Sequence, residues 1–256
     1  FIYTLTNFES RATIDVDFLL RGYSNAIDDV KSLICKIIDT PTGNDYIEMR
    51  AKGLEEISPQ RKYHGISTQI IAQIKNVRVP FNVDIGVGDI IVPRAEERTI
   101  NTQLPEFEAP VIKTYSLEST IAEKFDAILQ RFELTGRMKD FYDIYYLSRT
   151  FDFEGAKLQA AIFETLQRRG TPYDRESFKR VVALAGDEDM QKRWKFFLKT
   201  IKDDTLEFTF VIAEIQTFLE PVFDAIVNEN EWQNIWKSNA KKWSNLKGGI
   251  DRDKSS

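Results

Sequence analysis

Two periodicities divide the chain. Up to about residue 115 the apolar residues come in short, β-branched runs separated by turn chemistry; from Leu117 onward they recur every three to four positions. In the first half, Thr13-Ile-Asp-Val-Asp-Phe-Leu-Leu20 reads as a short buried strand and Phe81-Asn-Val-Asp-Ile-Gly-Val87 as another in a similar apolar frame. Tyr46–Arg50, Ile66–Ile74 and Asp89–Val92 read as further strands. Ser24 is expected to cap a helix whose apolar positions Ala26, Ile27, Val30, Leu33, Ile34, Ile37 and Ile38 keep the 3.6-residue period. That helix should end at the turn Pro41-Thr-Gly-Asn44. Loops are expected around Pro59 and across Pro93, Pro105 and Pro110.

In the second half, Leu117, Ile121, Phe125, Ile128, Leu129 and Phe132 form one helical stripe and 140–148 a second. Further helices are expected at 153–169, 175–185, 187–202 and 206–228. A strand-and-helix half followed by an all-helical half is an α+β pattern. The expected division is an α/β core over 1–115, a helical domain over 116–243 and a disordered polar tail over 244–256. The chain opens on Phe1 without an initiator Met, and native sequence is expected to precede it.

Composition narrows the chemistry. The 256 residues, 42% hydrophobic, are enough for one large or two smaller cores. No apolar run has the length of a membrane helix, so a cytoplasmic protein without a membrane partner is expected. One cysteine, Cys35, and one histidine, His64, exclude an internal disulfide framework and leave almost no soft ligands for structural zinc. Any metal should therefore be hard and oxygen-bound, Mg²⁺ or Mn²⁺. The net charge of −5 argues against a wholly basic nucleic-acid binder, yet residues 157–202 hold eleven Lys and Arg against six Asp and Glu. An RNA-facing patch could lie there.

Carboxylates carry the strongest chemical signal. Asp15 and Asp17, two residues apart on a strand, point to one face and could hold one or two divalent ions against nucleotide phosphates. Asp84 would be a third carboxylate, orienting or deprotonating an attacking hydroxyl. Their alternative is a chance D-x-D on a surface strand. Lys124 falls on the buried face of its helix, where it either snorkels to solvent or reaches a polyphosphate. Asp140 and Asp143 share an inward stripe with Ile144 and Leu147; Asp140 could cap the helix, and Asp143 could pair with Arg137 or Lys139. Gly86-Val-Gly-Asp89 lacks the spacing of a phosphate loop, and His64 has no visible catalytic partner. Trp194, Phe196 and Phe197 among Lys192, Arg193, Lys195 and Lys199 read either as core packing of one amphipathic helix or as an RNA-stacking surface.

Three segments together resemble the AbiEii-type nucleotidyltransferase toxins. They are Arg11-Ala-Thr-Ile-Asp-Val-Asp-Phe18, Phe81-Asn-Val-Asp-Ile-Gly-Val-Gly-Asp-Ile-Ile91, and Ser116 to Ile128 with Gly136-Arg-Met-Lys-Asp-Phe-Tyr-Asp-Ile144. The resemblance runs to about residue 150. It implies a DNA polymerase β-like core, a mixed sheet followed by helices, that moves a nucleotide from an NTP onto RNA, with tRNA 3′ ends as one acceptor. By the same resemblance, Asp15 and Asp17 bind metal, Lys124 contacts the triphosphate with Arg137 beside it, and Asp140 has a catalytic role with Asp143 nearby. Asp84 matches the family's Asp-Ile-Gly motif. The family's first motif opens on a Gly-Ser or Gly-Gly turn, which would lie immediately before Phe1; Lys247-Gly248-Gly249 reads as a linker-like end. The interval from Lys124 to Asp140 is slightly longer than usual for the family, which leaves Asp140 and Asp143 both open for that role.

The expectation is thus an Mg²⁺-dependent nucleotidyltransferase, the toxin of a toxin–antitoxin or phage-defence pair with a separate antitoxin. Two other readings stand beside it: a catalytically silent binding module with the same fold, and a two-metal nuclease, since paired carboxylates also serve hydrolysis.

Overall fold

A computed structural model describes residues 2–13, 15–24, 26–41, 46–57, 65–87, 93–104 and 106–245. The chain forms two compact units, Arg11–Ile90 and Phe1–Ser10 with Ile91–Ser256. The short helix α1 (Ile2–Leu5) belongs to the second.

The Arg11–Ile90 unit is a four-stranded sheet with one helix. Along the chain come β1 (Asp15–Leu20), α2 (Ile27–Ile38), β2 (Glu48–Ile57), β3 (Gly65–Ile74) and β4 (Val77–Val87). In space the order is β1-β4-β3-β2, with β1 parallel to β4 and the other pairs antiparallel, so the sheet is mixed as expected. Its two faces differ sharply. Ile66 and Ile70 of β3 and Val83 and Ile85 of β4 bury one face against Val30 and Ile34 of α2. Each such side chain contributes roughly 1.5–3 kcal/mol. The other face carries the alternating polar residues. Gly53, at φ +67°, sits where β2 shifts register between Lys52 and Glu55, and Thr68 Oγ1 donates 2.7 Å to its carbonyl. Such a bulge lets β2 return to pairing with Glu55 opposite Ser67.

The reading of β1 as a buried strand is corrected. β1 is an edge strand, and Val16 and Phe18 are 39% and 52% exposed. Its apolar run reflects position beside β4 rather than enclosure on both faces. Ser24 does not occupy the N-cap of α2; Ala26 does, and Ser24 Oγ instead accepts from the Ala26 N–H at 3.1 Å.

The helical unit opens with a two-stranded antiparallel ribbon, β5 (Glu96–Thr99) and β6 (Val111–Thr114), in the stretch read as a proline-bearing loop. Then come α3 (Leu117–Arg131), a 3₁₀ turn at Phe132–Leu134, α4 (Met138–Thr150), β7 (Phe153–Glu154), α5 (Gly155–Arg169), α6 (Ser177–Ala183), α7 (Glu188–Ile201), α8 (Phe208–Val227), β8 (Ile235–Lys237) and β9 (Lys242–Ser244). Ser116 caps α3 by accepting from Ser119 N–H at 3.0 Å, and Asp187 caps α7 through Met190 N–H at 2.8 Å. α8 buries ten of its residues, among them Phe208, Phe218 and Phe223, so the other helices pack around it. Aromatic contacts continue that core: Phe125 meets Phe223, Phe141 meets Phe208, and Phe218 meets Trp236. The expected strand at 89–92, the turn residues 42–45, Pro59, His64 and the tail beyond 245 lie outside the described residues.

Candidate functional site

The polar face of the sheet carries one row of side chains across all four strands. Strand pairing sets Asp17 opposite Asp84, Asp84 opposite Ser67, and Ser67 opposite Glu55. Residues paired in register share a face, so two carboxylates stand side by side on adjacent parallel strands. Ser67 Oγ donates to Asp84 Oδ1 at 2.5 Å, a short bond of the kind a charged acceptor makes. Asp17 is exposed and Asp84 half-buried. Asp15 opens β1 opposite Asn82, two positions from Asp17, and is described by its backbone alone.

Exposed carboxylate oxygens on a rigid sheet are the donor set that a hard divalent ion prefers. Among the described side chains, which do not include that of Asp15, no three His, Cys, Asp or Glu gather into a metal-holding cluster.

The helical unit holds a second ionic group, built on α3 and α4. Lys124 Nζ lies 2.7 Å from Asp143 Oδ2 and 3.4 Å from Asp140 Oδ1. Arg137 Nε donates to Asp140 Oδ2 at 2.5 Å, and its Nη2 lies 3.4 Å from Oδ1. Both carboxylates are buried, while the Lys124 and Arg137 side chains remain 16% and 43% exposed. Two anions and two cations therefore balance inside the protein, with the cations reaching outward. The spacing explains the geometry: Asp140 and Asp143 are three residues apart on α4 and face α3 together. Lys124 thus does not stand alone: it pairs with both carboxylates while keeping part of its side chain at the surface. Arg137, not Asp140, occupies the N-cap of α4; Asp140 sits in the first turn, where the helix dipole favours a negative charge. Lys124 is a cation on Asp143, and Lys139 is exposed. Burial pushes the neighbouring Tyr142 phenol above its ordinary range, with Tyr146, Asp203 and Asp143 adding to the rise.

Three residues make contacts that the sequence pattern does not announce. Ser67 is one; its only sequence signal was a small polar residue inside an apolar strand. Asp126 is another: fully buried, it accepts from Thr171 Oγ1, from Gln130 Nε2 at 2.9 Å and from Arg169 Nη1 at 3.2 Å, tying α3 to the end of α5. The third is Arg193, whose Nη1 donates to the carbonyls of Glu133 at 3.0 Å and Thr135 at 2.8 Å and so fastens α7 to the loop leading into Arg137.

The sheet thus offers exposed carboxylates and the helical unit a buried ionic group, and comparison with known proteins is more specific. The profile of the nucleotidyl transferase AbiEii toxin family, of a type IV toxin–antitoxin system, matches residues 2–234. The chain belongs to that family. That family is one of nucleotidyl transferase toxins, and membership implies a nucleotide substrate and an antitoxin counterpart.

Two crystal structures resemble the chain at low identity. One, of a candidate nucleotidyltransferase from H. pylori, is 12% identical, covers 90% of this chain and 86% of its own, and has a TM-score of 0.43. The other, JHP933 from Helicobacter pylori, is 12% identical, covers 86% and 79%, and has a TM-score of 0.42. No curated protein matches the sequence. Among the described residues no helix is long and apolar enough to cross a membrane.

Proposed function

We propose that this protein transfers a nucleotide from an NTP to an RNA acceptor such as a tRNA 3′ end, as the cytoplasmic toxin of a toxin–antitoxin pair that serves phage defence. The observation that carries the reading is the register of Asp17 with Asp84 on adjacent parallel strands of an exposed polar face. Carboxylates placed this way can hold a divalent ion without the cost of burying unpaired charge. Asp15 and Asp17 would hold Mg²⁺ or Mn²⁺, whose contribution is to neutralise charge on the phosphates.

Each of the chain's own residues has a role in this reading. Asp84, its carboxylate fixed by Ser67, orients the acceptor hydroxyl and draws off its proton as the oxygen attacks the α-phosphate. In the helical unit, Lys124 and Arg137 present positive charge of the kind a polyphosphate takes. Asp140 and Asp143 hold those two cations through ion pairs, which reduces the ordering left for the moment of binding. Pyrophosphate is the leaving group.

The test is incubation of the purified chain with each labelled NTP, Mg²⁺ and total tRNA. Label joined to RNA, and lost in Asp17→Ala, is the expected result. No transfer with any NTP, together with undiminished toxicity of Asp17→Ala in cells, would sink the reading. RNA shortened instead of extended would select a nuclease. A chain that binds no Mg-NTP by calorimetry would select the silent binding module.

A further inference from the structure

The aromatic–basic cluster of α7 divides in two. Trp194 is buried and donates from Nε1 to the Leu206 carbonyl at 2.7 Å, and Phe197 packs on both Trp194 and Tyr142. Those two belong to the core. Phe196 does not: it is 73% exposed. Lys192, Lys195 and Lys199 are also exposed and follow the i, i+3, i+7 spacing that lines them up along one side of the helix, with Phe196 against Lys192 and Lys199. The stripe spans about 10 Å of helix axis.

Such a face is unfavourable by itself. Like charges three and four residues apart repel, and the phenyl ring is left in water. Among the described residues one carboxylate is paired to the stripe, Asp189 with Lys192 at 3.1 Å; it is itself mostly exposed, and such a pair is worth little and is easily exchanged. Three cations beside a flat apolar ring complement one chemistry well: phosphates along a strand with an unstacked base on the ring. The placement adds to this, because Arg193 on the same helix grips the carbonyls of Glu133 and Thr135, and the next residues, Gly136 and Arg137, lead into Asp140.

We propose that the outer face of α7, Phe196 with Lys192, Lys195 and Lys199, receives the single-stranded end of the acceptor RNA. The ring stacks a base and the lysines follow the backbone. This rests on the reading of the protein as an RNA-directed transferase, but it concerns binding and is measured separately from transfer.

The experiment uses the full chain and a fluorescein-labelled mixed-sequence single-stranded RNA of about fifteen nucleotides, with anisotropy read over a range of salt. The variants are Phe196→Ala, the double variant Lys195→Glu/Lys199→Glu, and Lys242→Glu as a control on an exposed strand elsewhere. All these positions are exposed, and circular dichroism should be unchanged. Phe196→Ala is expected to weaken binding about five- to tenfold. The double variant should weaken it more than about tenfold and flatten the salt dependence by roughly 1.4 in log–log slope, as for two lost phosphate contacts. Lys242→Glu should bind like wild type. In the transfer reaction the same variants should raise the KM for RNA while leaving the KM for NTP unchanged.

Wild-type binding that none of the α7 changes reduces would overturn the proposal and leave the transferase reading standing. A wild-type chain that binds no RNA, as expected if this face meets an acidic protein instead, would overturn it too. RNA binding lost in the α7 variants, with no transfer by wild type, would support the proposal and remove the transferase reading.

Discussion

Both units concentrate acidic residues, but they hold them in opposite ways. On the sheet, Asp17 lies exposed on an edge strand opposite Asp84, and Asp84 accepts a donated hydroxyl from Ser67. In the helical unit, Asp140 and Asp143 are buried and already matched by Lys124 and Arg137. The first arrangement leaves acceptor capacity for a cation that arrives from solution. The second has spent it on cations of the chain itself, and what it offers outward is positive charge. Equal residue types therefore present opposite charge to solvent, negative from the sheet and positive from the helical unit, and burial decides which.

Removing a charge from each unit should separate the two cases. Asp17→Asn should cut nucleotide transfer by at least about a hundredfold, the loss expected when charge stabilisation at the reacting phosphate fails. Its unfolding midpoint in urea should match wild type, because an exposed carboxylate contributes little to stability. A large fall in stability would break the comparison.

Lys124→Ala should do the reverse in stability. It leaves Asp143 buried without its nearest cation and Asp140 with Arg137 alone, and should cost about 3 kcal/mol in urea unfolding. The double change Lys124→Leu/Asp143→Leu should recover much of that loss, since a buried pair exchanged for apolar side chains is often near neutral. If the double variant is no more stable than Lys124→Ala, the cost lies in packing rather than in stranded charge.

Much of this was legible in the sequence, and the exceptions share a cause. The helical periods fall close to the observed α3, α4, α5, α7 and α8, because amphipathic stripes report their own burial. Lys124, Asp140 and Asp143 could be placed on inward faces for the same reason. What periodicity cannot carry is pairing between distant segments. The apolar run of β1 read as interior, whereas strand order makes it an edge. Ser67 meets Asp84 only through the β3–β4 register, and Asp126 meets Thr171 across 45 residues. The ribbon β5–β6 was hidden because Glu96-Glu-Arg-Thr99 has no apolar alternation to announce a strand.

A milder change probes the sheet row itself. Ser67→Ala removes the donor that fixes Asp84, and a hydrogen bond to a charged, half-buried acceptor should cost about 1 kcal/mol. Ser67→Thr keeps the hydroxyl on a strand-compatible side chain and should restore most of the loss. The decisive readout is Mn²⁺ binding by electron paramagnetic resonance, where the Ala variant should bind several-fold more weakly and the Thr variant near wild type. Equal binding by all three would mean that Ser67 steadies the strand without ordering the carboxylate row.

The smallest expected effect lies at an exposed ion pair of the helical unit and shows where that unit stops behaving as a buried one. Asp152 accepts from Lys237 Nζ at 2.9 Å and from the Ser238 N–H at 2.8 Å, tying the chain before β7 to the end of β8. The Lys237 contact, then the Ser238 N–H, hold its carboxyl below the usual aspartate value. A folded-state pKa below the unfolded one stabilises the protein above the unfolded value, about 4, and that contribution fades as pH falls through the folded value. Both partners are nearly half exposed, so solvent screening keeps it small. Asp152→Asn should therefore lower stability by less than about 1 kcal/mol at pH 7 and by still less in 1 M salt. At pH 3 the two proteins should draw together in urea unfolding, and a gap that widened there would put the role of Asp152 in its neutral contacts instead of its charge.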